Sequence, residues 1–377
     1  MTAIFTKRIF GAIAVATFSL IFTACGNKSD KSQEKTALYP EITLDHEQKQ
    51  QVKLSDIFSD FKLIALETNE DCLIGDRGTR ILKHDSLFFI SSNNEILVFN
   101  NDGKYLKKLS AFGPGPEEYE QIGYFEIADD INEIWICPFD GRTISRYDLD
   151  SFDFKGKLSF DFAPFSIKSL GDGLFIANTS AEDGYFKIIN SSGEIIESIY
   201  ESDPANSGHT LVDFYYSPRN NKVIHQLRNS NDVIYYDLDS KKLGTSKLLD
   251  TDDNLLTAAA NRKAMDELGY MEQMAYVREN YIQIVHAAEV DDMVIMILCY
   301  PDFKWKMLLS KNGKSVVIPY YPQDINIVEN DIIDNVHPLT LNTIVCGDSD
   351  DSFIFMPNVQ DTEDNPYILE VTDIKLP

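Results

Sequence analysis

Histidine, cysteine and acidic side chains are the residue types in this sequence that could bind a metal ion or move a proton. The six histidines are His46, His84, His209, His225, His286 and His337. None of them lies at the spacing of an HxH or HExxH metal motif, and His225 and His286 lie in or next to apolar runs. The spacing predicts no metal site and favours histidines that pack in the core or at its rim.

Motifs for nucleophilic or nucleotide chemistry are missing from the sequence. It contains no GxSxG elbow, no GxxxxGK[ST] phosphate loop and no GxGxxG fingerprint. The acidic runs are Asp129-Asp130, Asp252-Asp253, Asp291-Asp292 and residues 348–351. They could be calcium sites or paired carboxylates, but none follows the EF-hand pattern, and Asp is common in tight turns. We interpret them mostly as turns and predict no catalytic residue.

One loop has an unusual composition, with Gly113, Gly115, Glu117, Glu118 and Tyr119 spaced by two prolines. Proline lacks the N–H that a phosphate cradle needs, so phosphate binding is disfavoured. Two interpretations stay open. The loop fixes the register between neighbouring structural units, or its two glutamates and its tyrosine contact a ligand.

Composition and charge restrict the class of protein. The chain has 377 residues, of which 44% are hydrophobic, so it can bury a large core in one or two domains. Acidic residues outnumber basic ones 60 to 34, giving a formal charge of -26. Because nucleic-acid binding depends on neutralising phosphates with lysine and arginine, we expect no nucleic-acid partner.

The N-terminus has the pattern of an export signal. Lys7 and Arg8 precede an apolar run of about 14 residues, shorter than the roughly 20 that a membrane-spanning helix needs. Small residues followed by Cys25 and Gly26 resemble a bacterial lipobox, in which the cysteine carries the acyl chains. We predict a lipoprotein signal peptide over 1–24, lipid attachment at Cys25, a flexible polar tether over 25–37, and a location at the cell envelope, in the outer membrane.

The other four cysteines are scattered without a CxxC pair, which argues against a zinc ribbon or a thioredoxin-like site. They are Cys72, Cys137, Cys299 and Cys346. Most lie in or beside apolar, strand-like runs, so we predict buried free thiols and leave a disulfide open, because an exported protein can form one.

An internal repeat organises the rest of the chain. An apolar strand, a polar turn and a second strand recur six times. The last apolar residues before the turns are Phe99, Tyr147, Ile189, Tyr236, Leu309 and Val371. The first three intervals are 48, 42 and 47 residues, and the next two are 73 and 62. The shorter intervals match the period of a propeller blade.

A second apolar run precedes most copies, and each run is short and rich in Ile, Val, Phe and Tyr. Short strands at steady spacing, with little helix, predict an all-β fold, a six-bladed β-propeller over residues 38–377. The long fourth interval, about 251–280, reads as a helical insertion, which packs on the rim or forms a lid or docking element. We expect EITLD (41–45) or FKLIALE (61–67) to complete the last blade and close the ring.

Several segments resemble the six-bladed β-propeller lipoproteins of Bacteroidetes, relatives of the NHL-repeat propellers. The segments are LSDIF (54–58), ALET (65–68), CLIG (72–75), SLFFISSNNEILVFNNDG (86–103), GPGPEEYEQI (113–122) and DNPYILEVTDIKL (364–376). The resemblance implies a cell-envelope lipoprotein but no established reaction. By analogy with NHL propellers, it also implies that the loop 113–119 lies on the face that binds ligands.

These observations favour a non-catalytic, lipid-anchored module that binds a partner protein or a glycan. Four tyrosines are candidates for an exposed aromatic patch on the rim: Tyr119, Tyr124, Tyr215 and Tyr216. The alternatives are an envelope lyase or hydrolase that acts on glycan or peptide at the central channel, and a purely structural subunit of an envelope complex. We predict no cofactor, with a divalent ion in the channel, bound by histidines from different blades, as the open alternative.

Overall fold

The computed structural model describes most of the chain between Ala37 and Leu376. The described residues are 37–44, 57–75, 80–138, 141–179, 186–199, 214–227, 229–251, 253–301, 304–319, 325–328, 331–334, 345–346, 352–355 and 365–376. The predicted signal peptide, Cys25 and nearly all of the tether lie outside them, as do His46, His209 and His337. Within these ranges no helix is both long and apolar enough to cross a membrane.

The strands are numbered along the chain, starting with β1 (Phe58–Ala65). Five antiparallel sheets, blades 1 to 5, each consist of four consecutive strands. Blade 1 contains β2 (Ile81–His84), β3 (Leu87–Ser92), β4 (Glu95–Asn100) and β5 (Tyr105–Leu109). Blade 2 contains β6 (Tyr124–Ala128), β7 (Glu133–Cys137), β8 (Thr143–Asp148) and β9 (Phe154–Ser159). Blade 3 contains β10 (Ser166–Gly171), β11 (Leu174–Asn178), β12 (Phe186–Asn190) and β13 (Ile195–Ile199).

The remaining strands complete the ring. Blade 4 contains β14 (Phe214–Ser217), β15 (Lys222–Gln226), β16 (Asp232–Asp237) and β17 (Lys242–Lys247). Blade 5 contains β18 (Gln283–Val290), β19 (Met293–Tyr300), β20 (Lys304–Lys311) and β21 (Lys314–Pro319). A separate hairpin follows, with β22 (Ile325–Val328) and β23 (Asp331–Asp334). Blade 6 contains β24 (Val345–Cys346), β25 (Phe353–Phe355), β26 (Tyr367–Ile374) and β1.

The predicted six-bladed β-propeller is confirmed. The first strands of the six blades contact one another in a closed cycle, so they surround the ring axis. The six repeat anchors all lie in the third strand of their blade and are buried. The first strands are not among the runs predicted from the sequence. They are mostly short and carry polar residues such as Lys83, Glu126 and Lys168 among apolar ones.

Blade 6 is closed by the start of the propeller. β1 pairs antiparallel with β26, with Leu63 opposite Leu369 and Ala65 opposite Tyr367. The predicted run FKLIALE therefore supplies most of the closing strand. The other candidate, residues 41–45, does not, because the described part of that segment packs Ile42 and Leu44 into the core between blades 4 and 5.

The repeated polar turns have a shared local cause. At the end of the third strand, the side-chain oxygen of Asn100, Asp148, Asn190 or Asp237 accepts hydrogen bonds from N–H groups two to four residues further on. Such Asx turns close the link between third and fourth strands. The bond from Ser240 N–H is the main reason that the pKa of Asp237 falls to about 2. Asp291-Asp292 also lie in a turn, as predicted, whereas Asp129-Asp130 begin a short 3-10 helix (Asp129–Ile131) between β6 and β7. Asp252 and residues 348–351 lie outside the described residues.

Candidate binding face

The two features that sequence analysis singled out lie on one face of the ring. Neighbouring strands within a blade run in opposite directions. The links that join the fourth strand of one blade to the first strand of the next therefore lie on the same face of the ring. The loop 110–123 links blades 1 and 2, and residues 248–282 link blades 4 and 5. We call this side of the ring the linker face.

The loop with two glycines and two prolines is closed by its own side chain. The Glu118 carboxylate accepts the Gly115 N–H at 2.7 Å, and the Glu118 N–H donates to the Gly115 carbonyl at 3.2 Å. A Cβ at Gly113 would lie 2.2 Å from Glu118 Oε2. The glycines therefore leave space for the Glu118 carboxylate, which lies inside the turn and binds its backbone.

Tyr119 joins this loop to blade 1. It is only 3% exposed, and its hydroxyl donates to the carbonyls of Asn94, at 2.7 Å, and Leu109, at 3.2 Å. Burial raises its pKa above the usual tyrosine range. Blade 2 binds the same loop, because the Tyr147 hydroxyl donates to the Glu117 carbonyl at 2.7 Å. The loop thus fixes the register between the two blades, and a ligand contact remains a prediction for Glu117 and Glu118 alone.

The predicted aromatic rim is wrong for three of its four residues. Tyr119, Tyr124 and Tyr215 are buried, and only Tyr216 is exposed. Tyr124 is covered by the Arg80 guanidinium, which lies 3.8 Å from its ring centroid, and Tyr215 packs between blades 4 and 5. Aromatic composition alone did not distinguish rings that fill the inter-blade spaces from rings that face solvent.

The insertion between blades 4 and 5 is a helical hairpin, as predicted. Helix α1 (Ala258–Leu268) is capped by the Thr257 hydroxyl, which accepts from Ala260 N–H, and α2 (Tyr270–Asn280) follows after Gly269. Gly269 has φ +81°, a left-handed conformation that glycine adopts without strain. The base of the hairpin is fixed to blade 4, because the Asp232 carboxylate accepts the Ala258 N–H at 2.7 Å.

The tip of the hairpin is apolar and exposed. Leu268 is 41% exposed, Tyr270 53% and Met271 70%. The helices instead bury the amides of Asn261 and Gln273, which hydrogen-bond to each other. Leu268 and Met271 lie on either side of Gly269, at the turn between the two helices.

The inner strands of the first blades carry buried charges that bind one another. The Glu126 side chain is fully buried and lies 3.4 Å from Arg80 Nη2 and 3.2 Å from Lys168 Nζ. Arg80 also donates to the Phe125 carbonyl at 2.9 Å and to the Tyr124 hydroxyl at 2.6 Å. Lys83 and Glu370 form a similar pair between blades 1 and 6, at 2.5 Å. These pairs link blade 1 to blades 2 and 6, and blade 2 to blade 3.

A second buried cluster joins blades 4 and 5 to the segment before β1. Glu289 accepts hydrogen bonds from the Tyr39 hydroxyl at 2.7 Å and from the Ser217 hydroxyl at 2.5 Å, and Arg219 Nε lies 3.4 Å away. Burial raises the pKa of Glu289, against the hydrogen bonds and the arginine, which lower it. The cluster holds the described segment 37–44 in place.

Histidine and cysteine packing agrees with the sequence interpretation where the residues are described. Burial lowers the pKa of His225 to about 3, and its ring packs against Phe186 and Phe214. Cys72, Cys137 and Cys299 are buried free thiols, and burial raises the pKa of each. No group of three metal-ligating side chains occurs within the described ranges.

Fold and linker face define a six-bladed β-propeller with a helical hairpin on one face. The chain belongs to the family DUF4934, a domain of unknown function, whose model matches residues 40–369. No curated protein matches the chain.

Two solved structures share the fold. One is a Bacteroides fragilis protein described as exported, with 15% identity and a TM-score of 0.66, covering 87% of this chain and 98% of its own. The other is a member of the DUF4221 family from Bacteroides vulgatus, with 11% identity and a TM-score of 0.55, covering 86% of this chain and 99% of its own. At these identities the likeness shows the fold alone.

Proposed function

We propose that this protein is a lipid-anchored binding module of the cell envelope, and that its ligand is a partner protein that docks on the hairpin tip. The observation that carries this proposal is the exposure of Leu268, Tyr270 and Met271 at the turn of the helical hairpin. Clustered exposed apolar side chains mark interaction sites, and Tyr and Met are enriched at protein interfaces.

The location rests on the sequence. The signal pattern over 1–24 and the lipobox-like Cys25 support export and acylation. The described export of the Bacteroides fragilis protein agrees with this location. We place the anchor in the outer membrane, with the polar tether and the described segment 37–44 leading into the ring.

The contacts of the buried charged and hydroxyl side chains favour a binding role over a catalytic one. Glu126 and Glu370 each lie in a close ion pair, and Tyr119 and Tyr147 use their hydroxyls on backbone carbonyls. These groups stabilise the ring. The apolar side chains of Leu268 and Met271, in contrast, are largely exposed to solvent.

The test is affinity capture from envelope extracts with the soluble body, residues 38–377. We expect the wild-type body to retain a protein that Met271→Glu loses and that Leu73→Glu retains, because Leu73 is a similarly exposed residue, at 48%, away from the hairpin. Binding of the purified partner to all three proteins should show the same order. Equal retention by all three would overturn the assignment, as would turnover of an envelope glycan or peptide by the body.

A further inference from the structure

The outer strands of the blades differ in how they are protected against pairing with another strand. Among the strands that the structure describes, each has a neighbour in its sheet along one edge only. Proteins usually guard such an edge with lysine, proline, bulges or a covering segment. The lysines of five outer strands are Lys62 in β1, Lys107 and Lys108 in β5, Lys155 and Lys157 in β9, Lys242 and Lys247 in β17, and Lys314 in β21. The outer strand of blade 3, β13, has the sequence IIESI, with no lysine, arginine or proline.

Other outer strands have further protection. The Leu38 N–H binds the Lys247 carbonyl at 2.8 Å and so covers part of the β17 edge. β21 ends in Pro319, and β1 has two register shifts near its start. β13 has a register shift as well, at Ile188 and Ile189 of its partner strand. The same kind of shift occurs in β5 and β9, which carry lysines in addition.

The β13 edge also exposes apolar side chains. Ile195 is 41% exposed and Ile196 is 55% exposed. Leu106 in β5 is exposed to a similar degree, at 47%, but the next two residues in that strand are Lys107 and Lys108. An exposed, apolar and lysine-free edge is the arrangement that accepts an added strand.

The negative charge around the β13 edge favours a positively charged partner strand. The exposed carboxylates of Glu194 and Glu197 flank the two isoleucines, and the whole chain has a formal charge of -26. A second copy of the chain would bring the same isoleucines but also the same carboxylates and net charge. A basic segment would bring lysine or arginine to these carboxylates, and opposite charges across a strand pair are stabilising.

We propose that β13 is a strand-pairing site for an extended, basic segment of a partner protein, with apolar residues over Ile195 and Ile196 and a lysine or arginine beside Glu197. This site is independent of the hairpin tip, since it depends on a different blade and on backbone pairing.

The test uses a labelled peptide of alternating valine and lysine, about eight residues long, the length of a strand. The control peptide has the same sequence and charge but an N-methyl group on every backbone nitrogen, so it cannot donate backbone hydrogen bonds along either edge. We expect the first peptide to bind with saturation in fluorescence anisotropy and to slow hydrogen exchange of the amides in Ile195–Ile199. The N-methylated peptide should bind at least about tenfold more weakly, a difference of about 1.4 kcal/mol.

Variants locate the site. Ile196→Lys gives β13 the protection that the other outer strands have, and we expect it to weaken binding about tenfold, whereas Leu106→Lys in β5 should leave binding unchanged. Glu197→Lys should weaken binding of the valine–lysine peptide and favour a valine–glutamate peptide. The Glu197 variant keeps the proposal testable if Ile196→Lys does not fold.

Three results would overturn the proposal. Equal binding of the N-methylated peptide would show attraction by charge alone, and protection of amides outside blade 3 would place the site elsewhere. Sedimentation of the wild-type protein as a dimer that Ile196→Lys dissociates would make the occupant a second copy of this chain.

Discussion

Gly103 lies so close to the carbonyl oxygen of Ala65 that a Cβ on the glycine would be 2.0 Å from it. Gly103 belongs to the turn between the third and fourth strands of blade 1, and Ala65 ends the closing strand β1 of blade 6. The Gly103 carbonyl also accepts the Glu67 N–H at 2.8 Å. The first and last blades therefore meet backbone to backbone, at a position where only glycine fits.

Gly103→Ala should destabilise the protein more than Gly313→Ala. Both glycines have left-handed φ angles, +76° and +71°, and both lie in turns between third and fourth strands. A side chain in this conformation costs about 1 kcal/mol in either turn. Gly313 has open space around it, whereas Gly103 faces backbone, so Gly103→Ala should cost about 3 kcal/mol or more. Urea unfolding followed by circular dichroism measures both, and equal losses would contradict the close contact.

Deleting residues 38–67 should unfold the propeller. The deletion removes β1, the strand that pairs with β26. It also removes Tyr39, whose hydroxyl donates a hydrogen bond to Glu289. A blade 6 without its outer strand exposes the apolar residues that pack under it, such as Phe353 and Val371. Thermal unfolding by circular dichroism tests this, and a truncated protein that melts like the full chain would refute closure by β1.

Tyr119→Phe should lower stability by about 1 to 2 kcal/mol, because the carbonyls of Asn94 and Leu109 lose their buried donor. Glu117→Gln, an exposed change in the same loop, is the control and should leave the free energy of unfolding unchanged. If Tyr119→Phe were as stable as the parent, the loop would not be acting as a link between blades 1 and 2.

Glu289 should make stability depend on pH. Burial raises its pKa, so the folded protein binds this proton more tightly than the unfolded chain does. The resulting stabilisation is present below the unfolded pKa of about 4.3 and is lost as the pH rises through the higher folded pKa. Glu289→Gln removes this titration. The variant should therefore gain stability relative to wild type as the pH rises above the unfolded pKa of about 4.3.

Urea unfolding of wild type and Glu289→Gln at a series of pH values measures this difference. Glu120→Gln, which removes one exposed carboxylate, controls for the loss of a charge. The charged and titratable groups near Glu289 are Tyr39, Tyr215, Arg219 and, through Arg219, Glu41. A stability difference that stays constant with pH would show that Glu289 does not titrate differently in the folded protein.

Cys25→Ala should abolish acylation. In cells fed a labelled fatty acid, we expect the wild-type protein to carry the label and to sediment with membranes, because each buried methylene contributes about 0.8 kcal/mol to anchoring. The variant should be unlabelled. Cys72→Ala is the matched control, since Cys72 is a buried thiol that should not be acylated. A labelled Cys25→Ala protein would contradict the assignment of the anchor.

Much of the fold could be predicted from short-range patterns. The third strands of blades 1 to 4 were found because each carries a buried apolar residue followed by an Asx turn, and atoms within four residues close that turn. The first strands were missed because most are short and several carry polar residues. Those residues are acceptable there only because a neighbouring blade provides the opposite charge, as Lys168 does for Glu126.

The sequence by itself determined the repeat, the number of blades and the helical insertion, because each depends on residues close together in the chain. Only the tertiary structure decided which of these residues face solvent. Tyr119 is buried where its hydroxyl donates a hydrogen bond to the Asn94 carbonyl, 25 residues away. Tyr39 is buried where its hydroxyl donates to Glu289, 250 residues away. Met271 and Ile196 are exposed in the described part of the chain, at 70% and 55%. Burial depends on such distant neighbours, and local sequence does not specify them.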